Sequence, residues 1–359
     1  MKTHLNTLYV TTQGSYLAQR GETVVVRIEG KTRAQLPLHN LDGIVCFGRV
    51  ACSPALLGTC AERGVAISFL TERGRFLASV RGFSHGNVLV RRRQYRLADD
   101  PAVALDIARR IVLAKVANSR TVLIRAARDA GTGTGTDTGT STSTEAPRVA
   151  DLERGSSRLG ASVHELRGAG TLDAVRGLEG EAATHYFGAF DALLSPSAAP
   201  AAFRFTRRSR QPPLDPINAL ISFLYTLVLH DVRSACEAVG LDACVGFLHV
   251  DRPGKPSLAL DLMEELRAYV ADRLAFTLIN RRQITAEGFQ RLDNGAVAMD
   301  DATRKTVLTA YQQRKRETLA HPFLGESTTV GMLPHLQALL MVRWIRGDID
   351  AYPPFLWKG

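Results

Sequence analysis

The sequence predicts an α+β fold: a small amino-terminal β-rich, sandwich-like domain over residues 1–90, then a larger all-α domain over residues 91–359. Two observations carry this prediction. Apolar residues alternate with period two through the first ninety positions, and beyond Arg91 the period changes to about 3.6 and stays there. No internal repeat is visible, and neither a GxxxxGKS/T nor a GxGxxG phosphate loop occurs, which removes the commonest nucleotide-binding folds from consideration.

The β-like runs are TLYV, SYLAQRGETVVVRIEG, AQLPL, DGIVCF, GVAISFL and GRFLASVRG, separated by Gly, Asn and Asp as in hairpins and sandwiches. One helix interrupts them. In SPALLGTCAERG, Ser53 suits the N-cap, Pro54 the first helical position and Gly64 the stop. In PAVALDIARRIVLAKVANSRTVLIRAARD, Ala104, Ile107, Ile111, Ala114, Leu123 and Ile124 fall at helical spacing and predict a long, basic, amphipathic helix. The Gly/Thr-rich stretch at about 130–146 offers little apolar surface and predicts a flexible loop. Helical patterning resumes directly after it, so the loop lies inside the helical domain. INALISFLYTLVLHDVRSACEAVG reads as an apolar central helix and LDLMEELRAYVADRLAFTLINRR as an amphipathic one. TRKTVLTAYQQRKRETL and LPHLQALLMVRWIRG follow as helices, and DIDAYPPFLWKG predicts an extended tail packed on the body.

The formal net charge is +10, with arginines gathered at Arg91–Arg96, at Arg204, Arg207, Arg208 and Arg210, and at Arg281 and Arg282. Clusters of this kind attract phosphate backbones and point to nucleic acid. Five cysteines without a CxxC pair argue against a disulfide framework or zinc ribbon and favour a reducing compartment. With no signal-peptide core and no uninterrupted apolar run near the roughly 20 residues of a spanning helix, a cytoplasmic protein that avoids membranes is expected.

Three groups are candidates for chemistry. Asp261, Glu264 and Glu265 stand at i, i+3 and i+4 on one helix face. Such a trio reads either as a first helical turn favoured by the macrodipole or as a cation site. His249 closes an apolar run, and the DRPGKP turn can return it beside that helix. Upstream, either Glu179 or Glu181 is placed to point into a packed interior, where a carboxylate needs a partner or a metal. One imidazole with two carboxylates leaves coordination positions for phosphate oxygens and suits Mn²⁺ or Mg²⁺ better than a closed zinc site.

The run RGLEGEAATHYF, then DPINALISFLYTLVLHDV, then GFLHVDRPGKPSLALDLMEELR, closely resembles the universal CRISPR-associated integrase, the nuclease that inserts new spacers into CRISPR arrays. The amino-terminal HLNTLYVTTQGSYLAQRGETVVV and LDGIVCFG resemble the form found in type I-C systems. The resemblance implies a β domain, a helical catalytic domain and a divalent metal held by Glu179, His249 and Glu264. It makes Asp261 an accessory carboxylate and leaves Glu265 as no more than a charged helix residue. It further implies that Arg267 faces DNA and that Tyr225 lies close to the site. Asn218 and Lys115 fall in motifs typical of the family.

The activity so implied is attack by the 3′-hydroxyl of a DNA fragment on a phosphodiester at the repeat boundary, assisted by the metal. The implied partners are double-stranded DNA, a second copy of the chain meeting it through the β domains, and the small companion CRISPR adaptation protein. Two rival readings share these residues: a stand-alone metal-dependent nuclease for branched DNA in repair, and a non-catalytic DNA-binding scaffold in which the acidic trio is only a helix face.

Overall fold

The computed structural model describes residues 6–72, 74, 76–80, 82, 88–131, 145–195 and 203–358. The Gly/Thr-rich stretch expected to be a loop falls, from 132 to 144, outside them.

Among the described residues, eight strands and one α-helix form the amino-terminal part: β1 (Thr7–Val10), β2 (Tyr16–Arg20), β3 (Thr23–Ile28), β4 (Lys31–Pro37), β5 (Gly43–Phe47), β6 (Ala51–Cys52), α1 (Pro54–Glu62), β7 (Ala66–Leu70) and β8 (Phe76–Val80). They make two four-stranded sheets, ordered β1-β5-β7-β8 and β4-β3-β2-β6. The second sheet is largely the antiparallel meander the turn residues predict, with Gly21 at φ +56° between β2 and β3. The first departs from a hairpin reading, because β1, β5 and β7 run parallel. Its signature is the strand GIVCF, buried at every position, as expected of a parallel strand covered on both faces. Ile44 and Cys46 enter a core shared with Leu17, Val24, Leu56 and Ile67, whereas Val45 and Phe47 join the main helical core. The parallel pairing of β5 with β7 is made possible by α1, which forms as predicted. Ser53 Oγ accepts from Leu56 N at 3.2 Å, Pro54 opens the helix, and Gly64 at φ +70° ends the connection.

The remaining chain contains α2 (Val88–Ala98), α3 (Pro101–Gly131), α4 (Glu145–Gly168), α5 (Leu172–Gly188), α6 (Pro216–Ala238), α7 (Ser257–Glu264) and α8 (Arg273–Asn280), with a π-helical segment, Arg267–Asp272, between the last two. After them come β9 (Phe289–Arg291), β10 (Val297–Met299), α9 (Asp301–Arg316), β11 (Thr318–Ala320), β12 (Ser327–Thr329) and α10 (Leu333–Arg346). The all-α expectation is therefore corrected by two short antiparallel hairpins, β9–β10 and β11–β12. Three-residue strands are too short to show a period, although Asp293-Asn294-Gly295, with Gly295 at φ +78°, carries the turn signal.

A long α3 packs against α4 and α5, and α6 runs through the centre. By length and composition α6 is apolar enough to cross a membrane, yet 67% of its most apolar window is buried inside the fold, which makes it a core helix. The 260–282 stretch keeps the expected amphipathic character in α8, where Arg273, Thr277 and Asn280 line the less buried side, but α7 and the π-helical segment are buried on nearly every side. It is enclosed by α3, α6, α10 and the tail, so Leu262, Leu266, Val270, Leu274 and Leu278 are buried together with Asp261, Glu264, Glu265 and Asp272. The π-helical interruption begins just beyond Glu265 and ends on Asp272, a feature common at functional positions.

The Arg91–Arg96 cluster is partly structural. Arg91 Nε donates to Gly240 O at 3.1 Å beyond α6, and Arg93 donates to Arg346 O at 3.2 Å at the end of α10. Both guanidiniums thus neutralise helix carboxyl ends.

Candidate active site

Four segments converge at one place. α3 supplies Lys115, α5 supplies Glu179, α7 supplies Asp261 and Glu264, and the loop before α7 supplies His249. Glu179 faces the packing of α5 on α3 and pairs with Lys115, whereas Glu181 projects outward with a side chain 60% exposed. Lys115 Nζ also lies 2.8 Å from Glu264 Oε2, so two carboxylates from different helices meet one ammonium. Arg267 pairs with the other oxygen of Glu264 at 3.0 Å. Burial pushes the Glu264 carboxyl up, but the positive charges of Arg267, Lys115 and His249 more than reverse this and hold it down at about 2.

The run GFLH is an irregular loop wrapped around one carboxylate. Asp261 Oδ2 accepts from Phe247 N at 2.6 Å and Leu248 N at 3.0 Å, while Oδ1 accepts from His249 N at 3.0 Å and contacts His249 Nδ1 at 2.6 Å. A carboxylate can only accept, so Nδ1 carries a proton, and in the neutral ring the lone pair is then on Nε2. Gly246 is required for this wrap. A Cβ there would stand 2.7 Å from Asp261 Oδ2 and 2.8 Å from the Ser257 carbonyl carbon. From the other side Arg176 donates twice to Leu248 O, at 3.1 and 2.7 Å.

A second layer lies behind Arg267. The Arg267 and Arg208 guanidiniums stand over the Tyr225 ring, 4.8 and 5.5 Å from its centroid. Tyr225 donates to Asp272 Oδ1 at 2.8 Å and Tyr186 to Oδ2 at 3.0 Å. Burial raises the Asp272 carboxyl to about 6 against the opposing effect of these two hydrogen bonds and of Arg267 and Arg208. Arg208 is further tied to Asn218 Oδ1 at 2.7 Å and Ser222 Oγ at 3.0 Å. Asn218 is fully buried and also binds Arg207 O, which accounts for an asparagine in the apolar helix α6.

The acidic trio separates by role. Asp261 is fully buried and acts through the loop. The macrodipole reading fails for it and for Glu264, because they occupy the body and the last turn of α7, not its first turn. Glu265 is corrected outright: it is fully buried just beyond α7, where Tyr352 OH, Phe355 N and Gln337 Nε2 donate to it at 2.7, 2.8 and 2.8 Å. Arg204, Arg207, Arg281 and Arg282 are exposed. In the sequence Lys115 and Asn218 stand out only as members of motifs, and Asp272, Tyr186, Arg176 and Gly246 do not stand out as site residues. An isolated aspartate inside AYVADRLAF was the available signal for Asp272.

Among the described residues no three His, Cys, Asp or Glu side chains already stand together as a metal cluster. The donor types nevertheless fit a hard divalent cation: Lys115 Nζ marks a point where the Glu179 and Glu264 oxygens converge on positive charge, and His249 has its second nitrogen fixed elsewhere.

The family model for CRISPR associated protein Cas1 matches residues 8–313. The chain belongs to the Cas1 family. It is 52% identical to the CRISPR-associated endonuclease Cas1 1 of Chlorobaculum tepidum and 51% identical to Cas1 2 of Rhodospirillum rubrum, in each case over the whole of both chains. Its fold is similar to that of a solved Cas1 protein from Thermotoga maritima, with a TM-score of 0.77 at 22% identity over 96% of this chain and 97% of that one. A casposase bound to its integration product is similar with a TM-score of 0.81 at 19% identity, over 99% and 95% of the two chains. The Cas1 fold thus accommodates the mixed α+β order described above, strands first and a larger helical part after.

Proposed function

We infer that this chain is a Cas1 endonuclease and integrase of CRISPR adaptation, and we propose that Glu179, His249 and Glu264 hold its divalent metal, Mn²⁺ or Mg²⁺. The observation that carries this is the meeting of the Glu179 and Glu264 carboxylates at Lys115 Nζ, beside a histidine whose Nδ1 is committed to Asp261. When bound, the metal would supply Lewis acidity toward a phosphodiester and lower the pKa of an attacking hydroxyl. The chain's own residues do the rest. Asp261 and Gly246 shape the loop that presents His249, and Arg176 anchors it. Arg267, oriented by Glu264 and Tyr225, and Arg208 on the same ring supply positive charge where a phosphate would sit. Lys115 bridges the two glutamates.

The substrate is taken to be double-stranded DNA, an incoming fragment joined to a CRISPR repeat, with the exposed Arg204, Arg207, Arg281 and Arg282 as further backbone contacts. A division at about residue 90 into a sandwich-like dimerisation domain and a catalytic domain, a homodimer, and a complex with the small companion protein complete the reading. The amino-terminal motifs favour the type I-C form.

The test is strand joining by the purified chain with Mn²⁺, a short duplex bearing free 3′-hydroxyls and a supercoiled plasmid carrying a repeat. Joined products that disappear in Glu179→Ala, His249→Ala and Glu264→Ala are expected. Cleavage without joining would support a repair nuclease instead, and full joining by all three variants would overturn the assignment.

A further inference from the structure

We propose that Arg125 and Arg273, gathered on the Trp357 indole, form a second DNA-backbone subsite separate from the metal-ligand constellation. The inference rests on the reading of the protein as a DNA-joining enzyme. It deepens that reading by assigning a phosphodiester contact to the carboxy-terminal tail.

The placement follows from two helices and the tail. α3 carries Lys115 at the active site and Arg125 ten residues later, which is about 15 Å along the helix axis. Asp272 and Arg273 are consecutive but serve opposite sides: Asp272 holds the tyrosines of the active site, whereas Arg273 turns to the tail. The Arg273 guanidinium carbon lies 4.4 Å from the Trp357 ring centroid and that of Arg125 lies 4.8 Å from it. Tyr269 packs on Trp357 at 4.9 Å, and Arg314 covers Tyr269 at 4.5 Å.

These arginines differ in how they are satisfied. Arg314 pairs with Glu317 and donates to Tyr269 O at 3.1 Å. Arg267 and Arg208, the equivalent pair on Tyr225, have Glu264, Asn218 and Ser222 as acceptors. Arg125 and Arg273 share one indole, and among the described residues neither forms a contact ion pair with a carboxylate; Glu317, paired with Arg314, acts on Arg273 only from further off. Two like charges on one ring repel, and Arg273, half-buried beside the exposed Arg125, forfeits without an anion the hydrogen bonds it gave up on leaving water. A phosphate oxygen pair cures both defects, because it is anionic and matches the planar donor fork. With two guanidiniums and the Tyr269 ring against the indole, the cluster recognises backbone charge and not a stacked base.

The platform is also rigid. Trp357 N donates to Asn118 Oδ1, Asn118 Nδ2 donates to Phe355 O, and Phe355 N donates to Glu265 Oε2, each at 2.8 Å. Ordering is complete before DNA arrives, so little of the binding energy is lost to it. The exposed Lys358 follows directly and adds a third positive charge.

Fluorescence anisotropy against salt tests the proposal, using a labelled fragment with single-stranded 3′ ends and, separately, a labelled repeat duplex. The full chain is compared with the double variants Arg125→Ala/Arg273→Ala and Arg125→Lys/Arg273→Lys. Loss of two phosphate contacts reduces the slope of log affinity on log salt by about 1.8. Between about 50 and about 200 mM salt the alanine variant then loses about twelvefold less affinity than the parent. The lysine variant, which keeps both charges, should retain most of the slope. In a Trp344→Phe background, which leaves Trp357 as the only tryptophan, DNA should shift the emission, and the alanine pair should abolish that shift.

A reduced slope with either duplex supports the subsite and tells which DNA it holds. Unchanged slopes with both, in a variant whose thermal midpoint matches the parent, overturn it, as does an effect confined to binding a protein partner. If the parent binds DNA with its full slope but joins nothing, the integrase reading fails while the subsite stands.

Discussion

Replacing Asp261 by asparagine alters one atom and should cost both stability and metal affinity. Four N–H groups converge on this fully buried carboxylate: Phe247 N and Leu248 N on Oδ2, and His249 N and His249 Nδ1 on Oδ1. An amide keeps one oxygen and turns an NH₂ toward the other pair. If the NH₂ takes the Oδ2 position, two backbone N–H groups lose their acceptor. If it takes the Oδ1 position, only His249 N is orphaned, because the imidazole can change tautomer and accept at Nδ1. The second orientation is cheaper, and it moves the proton to Nε2, the nitrogen a metal would need. One or two lost bonds to a charged acceptor, at about 1.5–3 kcal/mol each, set the cost at about 3 kcal/mol. The tautomer change should weaken Mn²⁺ binding by about 10- to 100-fold, the range for partners that orient a ligating histidine. Urea unfolding reads the first effect without metal, and calorimetric titration reads the second on protein shown to be folded. An Asp261→Asn protein with an unchanged unfolding midpoint and unchanged Mn²⁺ affinity would refute the reasoning about both loop and ligand.

Two more outcomes follow from buried charge. Burial raises Glu265 from 4.5 to about 7, against hydrogen bonds from Phe355 N, Tyr352 and Gln337 that lower it. The folded state therefore holds this proton more tightly than the unfolded chain, so the stabilisation is complete below about pH 4.5 and is lost as pH rises to 7, by about 3 kcal/mol. Urea unfolding between pH 5 and pH 7 should show that decline, and Glu265→Gln should make it shallower, leaving the part contributed by Asp272. Glu264 acts in the opposite sense, but only below about pH 4.5, outside this window. Lys115→Ala should remove the cation shared by Glu179 and Glu264, destabilising the metal-free chain by about 3 kcal/mol, as breaking a buried ion pair does. Saturating Mn²⁺ should then raise the thermal midpoint more in the variant than in the parent, and equal shifts would show that the two carboxylates do not share a cation site.

Local patterns read best where the physics is local. The cap at Ser53, the stop at Gly64 and the run of α3 depend on neighbours within one turn, and they stand where the pattern placed them. Parallel pairing of β5 with β7 was hidden because period-two alternation records which faces are apolar, not which strand lies alongside. The two hairpins among the helices were hidden because three residues cannot establish a period.

The residues of the candidate site divide the same way. Motif order alone pointed to Glu179, His249, Glu264, Asp261 and Arg267, since a carboxylate, an imidazole or a guanidinium keeps its chemistry wherever the chain places it. What each residue does depends on distance, and distance between segments is a property of packing. Glu264 and Glu265 are adjacent in sequence and chemically alike, yet a helix sends successive side chains about 100° apart. One meets Lys115 and Arg267 and is held at about 2, while the other meets neutral hydrogen-bond donors in α10 and the tail and rises to about 7. The sequence by itself determined the longer elements, the family and the inventory of reactive groups. Tertiary structure alone decided which carboxylate faces cations and which faces the tail, and which arginines are spent on helix ends, because a charge's energy is set by what lies within a few ångströms of it in space.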